Sequence, residues 1–166
     1  MAALPAFLRQ RLERNPDLGP RIVSGTVIAL IAAIPIILGG PLIALLAALA
    51  GGAMAWEFRQ IHTQKADGPS LQNVLYATTP VLAVALLIVA PLWVAVLLAV
   101  MAASLHGLAD HLQGRSWRWS VPGLLVIGLA CVAFPALRAM EPFGLITVLW
   151  VIMVVVSTDI GAYAFG

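Results

Sequence analysis

Apolar residues fill this chain in long uninterrupted blocks, and Pro, Gly or charged residues mark where one block ends and the next begins. A membrane-crossing helix needs about 20 apolar residues, within a range of about 17–25. On that measure the first block, Ile22 to Leu38, predicts one helix, ended by Gly39-Gly40-Pro41. A second runs from Leu42 to about Phe58. The stretch from Val74 to Leu105 is too long for a single crossing, and Pro91 divides it into a third and a fourth. The fifth runs from about Trp119 to Leu137 and the sixth from Phe143 to Phe165. The pattern therefore predicts an all-α, polytopic transmembrane bundle of about six spanning helices, residues 22–166, preceded by a polar segment at 1–21.

The prolines agree with these divisions. Pro41, Pro91, Pro122 and Pro142 sit at or just before predicted helix starts, where the missing N–H is not needed. Pro35, Pro80 and Pro135 fall inside predicted spans, where a proline kinks a membrane helix more readily than it ends it. Gly40-Pro41-Leu42 and Ala90-Pro91-Leu92 recur between apolar blocks, as a duplicated hairpin or as two independent tight turns.

Composition leaves little room for another class. Of 166 residues, 62% are hydrophobic and 10% charged, against about 45–50% and about 25% in a soluble domain. So few charges cannot cover a globular surface, which excludes a soluble enzyme, a disordered tail and a nucleic-acid module. The single cysteine, Cys131, lies in an apolar run and can form no intrachain disulfide.

The charges then give an orientation. Arg9, Arg11, Arg14 and Arg21 precede the first span, Arg59 and Lys65 separate the second and third, and Arg115 and Arg118 separate the fourth and fifth. The intervening turns hold only Arg138, so alternate loops carry eight basic residues against one. The excess of Lys and Arg on cytoplasmic loops predicts a cytoplasmic N-terminus and a sixth span that ends at the cytoplasmic face.

Asp159 is the most costly residue for such a chain, because a carboxylate at mid-helix opposes insertion by about 2.5–3.5 kcal/mol. It lies about 24 Å along the sixth span from Phe143 at 1.5 Å per residue, and Tyr163 and Gly166 share its face. Such a carboxylate either faces a wet cavity or caps the helix end at the interface. Glu57 beside Trp56 reads as an interfacial charge. His106, Asp110 and His111 fall in the predicted loop after the fourth span, where they form either two metal ligands or an ordinary polar loop end. His62, Lys65 and Asp67 read as a solvated loop, and Ser24-Gly25 with Ala29, like Gly51-Gly52 with Ala55, as small-residue packing surfaces.

The last ten residues, Ser157 to Gly166, resemble the opening of the conserved region of the phosphatidate cytidylyltransferases (CDP-diacylglycerol synthases), whose pattern S/T-D-x-x-A-Y-x-x-G is filled by Thr158, Asp159, Ala162, Tyr163 and Gly166. Arg21-Ile22 before the first span and Trp56-Glu57-Phe58 at the end of the second are similar to that family as well. The resemblance implies transfer of CMP from CTP to phosphatidic acid, giving CDP-diacylglycerol and pyrophosphate with Mg²⁺. It implies Asp159 and Tyr163 as catalytic residues, with Asp159 also a metal ligand. The implied partners are CTP, phosphatidic acid and the lipid of a cell inner membrane, without nucleic acid, and a homodimer is one assembly open to it. The family's later Lys-rich and Asp-rich signatures are not among these residues, so the chain reads as an N-terminal portion that is expected to be inactive alone. The basic residues at hand for phosphates are Arg59, Lys65, Arg115 and Arg118. Membrane CTP-dependent lipid kinases share parts of the pattern, and a small transporter or assembly protein with an intramembrane carboxylate is the alternative from another class.

Overall fold

The computed structural model describes residues 18–63 and 71–165, with the side chains of 18–22, 62–63 and 163–165 outside that description. Arg9, Arg11, Arg14, Lys65, Asp67 and Gly166 also lie outside it. The described residues form α1 (Leu18–Leu38), α2 (Gly40–Thr63), α3 (Leu71–Leu86), α4 (Leu92–Leu112), α5 (Trp117–Arg138) and α6 (Gly144–Phe165), with no strand among them. Four stretches, Gly40–Ile61, Leu92–Leu112, Trp117–Arg138 and Gly144–Ala162, are long and apolar enough to cross a membrane. Val23–Leu38 and Leu71–Leu86 are shorter apolar helices. Helices are the expected outcome, since in hydrocarbon every backbone N–H and C=O must be satisfied within the segment.

Helices α2, α3, α4 and α5 pack against one another as the inner bundle, α1 lies on α2, and α6 lies on α5 and touches α1. The inner bundle is closed by small residues: Ala44, Ala47, Ala55, Ala83, Ala95, Ala99 and Ala103 are all buried. Lipid tails are as apolar as leucine, so helices in a membrane gain from close van der Waals approach more than from burying bulky side chains. Gly51 shows how close that approach is, since a Cβ there would stand 2.6 Å from Cys131 Sγ and 3.0 Å from Pro80 Cβ. Cys131 is thus a packing residue where α2, α3 and α5 meet. Ile36, Ile43 and Val148 form a separate cluster that ties α1, α2 and the first half of α6 together.

Several expected boundaries move, all for one reason. Helix α2 continues past Phe58 to Thr63, and α4 continues past Leu105 to Leu112. Loss of hydropathy marks the end of an apolar run, but a helix ends where its backbone hydrogen bonds end. Arg59 and Asp110 remain helical because they have partners across the bundle. Helix α5 starts at Trp117, so Pro122 lies inside it and not before its start. Pro35, Pro80 and Pro135 are within helices as expected. Gly51, Gly52 and Ala55 are a buried packing surface, whereas Ser24, Gly25 and Ala29 are exposed. No other helix of the described chain covers that half of α1.

The two Pro-containing turns are built differently, which favours independent tight turns over a duplicated hairpin. Gly39 and Gly40 take the left-handed conformation (φ 69° and 55°) and place Pro41 in the first turn of α2. Pro91 instead sits outside α4 in an extended conformation (φ −65°, ψ 153°) as its N-cap. Beside the first turn, Arg138 at the end of α5 donates from Nε to the Ile36 carbonyl at 2.8 Å and from a terminal nitrogen to the Ile37 carbonyl at 2.7 Å. These are carbonyls that a helix C-terminus leaves unsatisfied, and a cation there also complements the helix dipole. Arg138→Ala is therefore expected to destabilise the bundle by about 1.5–3 kcal/mol, the range for hydrogen bonds to a charged group. Thermal unfolding in detergent checks this, and Arg138→Lys, which cannot hold both carbonyls in one fork, should recover only part of the loss.

Candidate functional site

Among the described residues, the polar groups that bear on function are a buried hub shared by α2, α3, α4 and α5 and the exposed Asp159 on α6. The hub is centred on Asp110, whose side chain is 2% exposed. Its Oδ1 accepts from the Arg59 guanidinium at 2.7 Å, and the Arg115 guanidinium stands 3.5 Å from the same oxygen. Its Oδ2 accepts from the Tyr76 hydroxyl at 2.7 Å and from the Ser120 hydroxyl. Gln72 Oε1 joins the two arginines, accepting from Arg59 at 2.7 Å and from Arg115 at 3.0 Å. The Arg59 guanidinium also lies 4.5 Å from the centre of the Tyr76 ring, and that ring meets His106 at 4.2 Å between centroids. His106 Nε2 is 3.1 Å from Thr79 Oγ1.

Local structure explains how these groups converge. The end of α4 closes with the Gly114 N–H on the His111 carbonyl at 3.0 Å and the Arg115 N–H on the Asp110 carbonyl at 2.8 Å. Gly114 has φ 71°, the left-handed conformation that this closure demands. The chain thereby turns back, and Arg115 returns to the carboxylate five residues before it. Ser120 follows in the first turn of α5 and reaches the same group. Asp110 thus has charged donors on Oδ1 and neutral hydroxyl donors on Oδ2, and a buried carboxylate is tolerated when both its oxygens are satisfied in this way. What the hub can do chemically is limited by this saturation: its carboxylate is held by donors from three other helices and by Arg115.

The structure corrects two readings of these residues. Arg59 is not a loop cation available to phosphates, because it is 2% exposed and engaged by Asp110 and Gln72. His106, Asp110 and His111 are not in a loop but on α4, where the three face different neighbours: His106 meets Thr79 and Tyr76, Asp110 holds the hub, and His111 lines an outer groove. Among the described residues no group of three or more His, Cys, Asp or Glu could hold a metal ion. Arg115 keeps a side chain that is 36% exposed, and Arg118 is exposed. Glu57 is exposed on α2, as its interfacial reading anticipates.

Asp159 lies in the second half of α6, where Met153 through Ile160 are all exposed and no other described helix covers them. Thr158 donates to the Val154 carbonyl at 2.8 Å, bonding back to its own helix. Asp159 has no hydrogen bond or ion pair among the described residues, so both its oxygens are open to a ligand. Tyr163 follows one turn later on the same unbroken helix, with its side chain outside the described residues. The structure does not bring Asp159 into contact with the Asp110 hub.

Arg59 and Asp110 escaped sequence reasoning because each stands at the end of an apolar run and looks like a boundary marker. A local signal exists in hindsight: no turn residue separates Arg59 from the block before it, and His106 and Asp110 stand one turn apart. Neither signal says which charge pairs with which.

Helical spans packed through small residues, with few buried polar groups, define a multi-pass membrane protein. The profile of the cytidylyltransferase family matches residues 19–166, and the chain belongs to that family. Membership makes it a nucleotidyltransferase type that uses CTP. Comparison with curated proteins and with solved structures gives no match.

Proposed function

We propose that the protein is a phosphatidate cytidylyltransferase of a bacterial inner membrane or its equivalent, transferring CMP from CTP to phosphatidic acid. The observation that carries this reading is the open carboxylate of Asp159, set in an apolar helix inside the region that matches the family. The topology argument from basic loops adds the orientation: the N-terminus and the hub end of the bundle face the cytoplasm, where CTP arrives. The lipid phosphate lies at that same interface.

In this reading a phosphate oxygen of phosphatidic acid attacks the α-phosphorus of CTP. The bond between the α and β phosphates breaks, leaving CDP-diacylglycerol and pyrophosphate. Asp159 would hold a Mg²⁺ ion, which would supply charge neutralisation for the bound triphosphate, and Tyr163 would shape the same face. Mg²⁺ fits a single carboxylate, because it is commonly held by one or two carboxylates with substrate phosphates and water, and it neutralises charge that develops on the transferred group. Arg115 and Arg118 remain as surface cations at that end of the bundle.

The test uses the full-length protein in phosphatidic acid vesicles with two preparations of labelled CTP. Label in the α-phosphate is expected to enter the lipid and label in the γ-phosphate to leave as pyrophosphate. Entry of the γ-label into lipid would assign the protein to the lipid kinases instead.

A further inference from the structure

The outer face of α4 and α5 carries a groove that neither the hub nor Asp159 uses. Ser104, Gly107, Leu108, His111, Trp117 and Val121 line a space of about 600 Å³, within the range of about 300–1,000 Å³ typical of small-molecule sites. Its walls are apolar in effect. Leu108 and Trp117 are 54% and 47% exposed, and the Ser104 hydroxyl is turned away onto the Val100 carbonyl at 2.8 Å. The groove therefore runs along two membrane-crossing helices and offers hydrocarbon contact over most of its surface.

Its rim has the opposite character. His111 closes the groove at the end of α4, Trp117 opens α5, and Arg115 and Arg118 flank Trp117 in the chain. The charge balance there is positive by construction. Two guanidinium groups, Arg59 and Arg115, share the single carboxylate of Asp110, and Arg118 adds a third cation. No other acid is present on α4, on α5 or between them. An apolar slot beneath a basic, tryptophan-marked rim matches one kind of molecule in a membrane: a chain of hydrocarbon that ends in an anion.

We propose that the α4–α5 groove seats one acyl chain of an anionic glycerophospholipid, with the lipid phosphate received by Arg118 and His111 at its rim. Hydrocarbon contact alone would not choose among lipids; the rim supplies the choice. Each interfacial arginine should favour the anionic lipid by about fivefold. The seat does not depend on the chemistry assigned to Asp159, which stands on α6 and outside this groove.

Trp117 supplies the readout. In a variant that keeps Trp117 and carries Phe at the other tryptophans, quenching by brominated phosphatidylglycerol is expected to saturate at a several-fold lower mole fraction than quenching by brominated phosphatidylcholine. Arg118→Gln should reduce that preference by about fivefold. Ser104→Phe, which fills the slot from an exposed position, should remove the saturable quenching by both lipids. Equal quenching by the two lipids, or quenching untouched by Ser104→Phe, overturns the proposal. If the single-tryptophan variant does not fold, native mass spectrometry of the otherwise unaltered chain decides the matter. A retained phosphatidylglycerol that is lost with Ser104→Phe supports the seat, and no preference between the two lipids overturns it.

Discussion

Asp110→Ala is expected to destabilise the bundle by about 3–5 kcal/mol, the effect of leaving a buried charge without its partner. Arg59 is 2% exposed and its guanidinium has the Asp110 carboxylate at 2.7 Å, so removal of that carboxylate strands a cation among α2, α3 and α4. Tyr76 and Ser120 lose their acceptor in the same step. For a chain of this size the loss corresponds to a fall in melting temperature of roughly 6–20 °C. The measurement is thermal unfolding of the detergent-solubilised protein, followed by loss of the monodisperse species. Arg59→Met combined with Asp110→Leu should restore most of the stability, because an apolar pair of similar size replaces an ion pair without stranding either charge. A melting temperature for Asp110→Ala equal to that of the unaltered protein would show that the hub does not hold the bundle. A double variant that is stable but inactive would move the hub from scaffold to site.

Asp159→Asn is expected to act in the opposite way, with a large effect on turnover and a small one on stability. The carboxylate is exposed and has no partner among the described residues, so nothing in the described fold depends on its charge. In the proposed reaction it is the protein's ligand to the metal that carries the triphosphate, an interaction worth several kcal/mol of transition-state stabilisation. Each 1.36 kcal/mol is a factor of ten, so CMP transfer should fall by at least about a hundredfold. The assay is incorporation of α-labelled CTP into lipid by the full-length variant, with membrane insertion and melting temperature measured on the same preparation. Turnover within a factor of two of the unaltered enzyme would remove Asp159 from the proposed site. Asp159→Glu tests placement, since a carboxylate displaced by one methylene would meet a bound Mg²⁺ less well, and turnover is expected to fall while the charge is kept.

These two carboxylates show how unevenly a site can be read from a membrane sequence. Asp159 stands out because its neighbours from Val154 to Phe165 are nearly all apolar, and a charge in that setting needs a reason. Asp110 lies between two histidines and five residues before Arg115, with a polar turn following it, so the same local measure reads it as loop. The structure makes Asp110 the buried one and Asp159 the exposed one. Hydropathy reports the cost of a residue entering lipid, and it cannot report whether a partner on another helix cancels that cost. Arg138 follows the same rule. It reads as a stray basic residue in a turn and acts as a cap on a helix that lies 101–102 positions earlier in the chain.

The sequence alone determined the order of helices, the turns at Gly39-Gly40 and Pro91, the membrane setting and the carboxylate at Asp159. Those features follow from transfer free energy and backbone geometry, which are local and therefore written in consecutive residues. Only the tertiary structure decided that Arg59 and Asp110, 51 positions apart, become one ion pair. It also decided that Gly51 and Cys131 meet in the core, and that α4 and α5 leave a groove between them on their outer face. Each of these depends on which helices are neighbours and how each is rotated about its axis. The apolar blocks of this chain are hydrophobic on every side, so they encode the crossing of a membrane far more strongly than they encode which face will meet which partner.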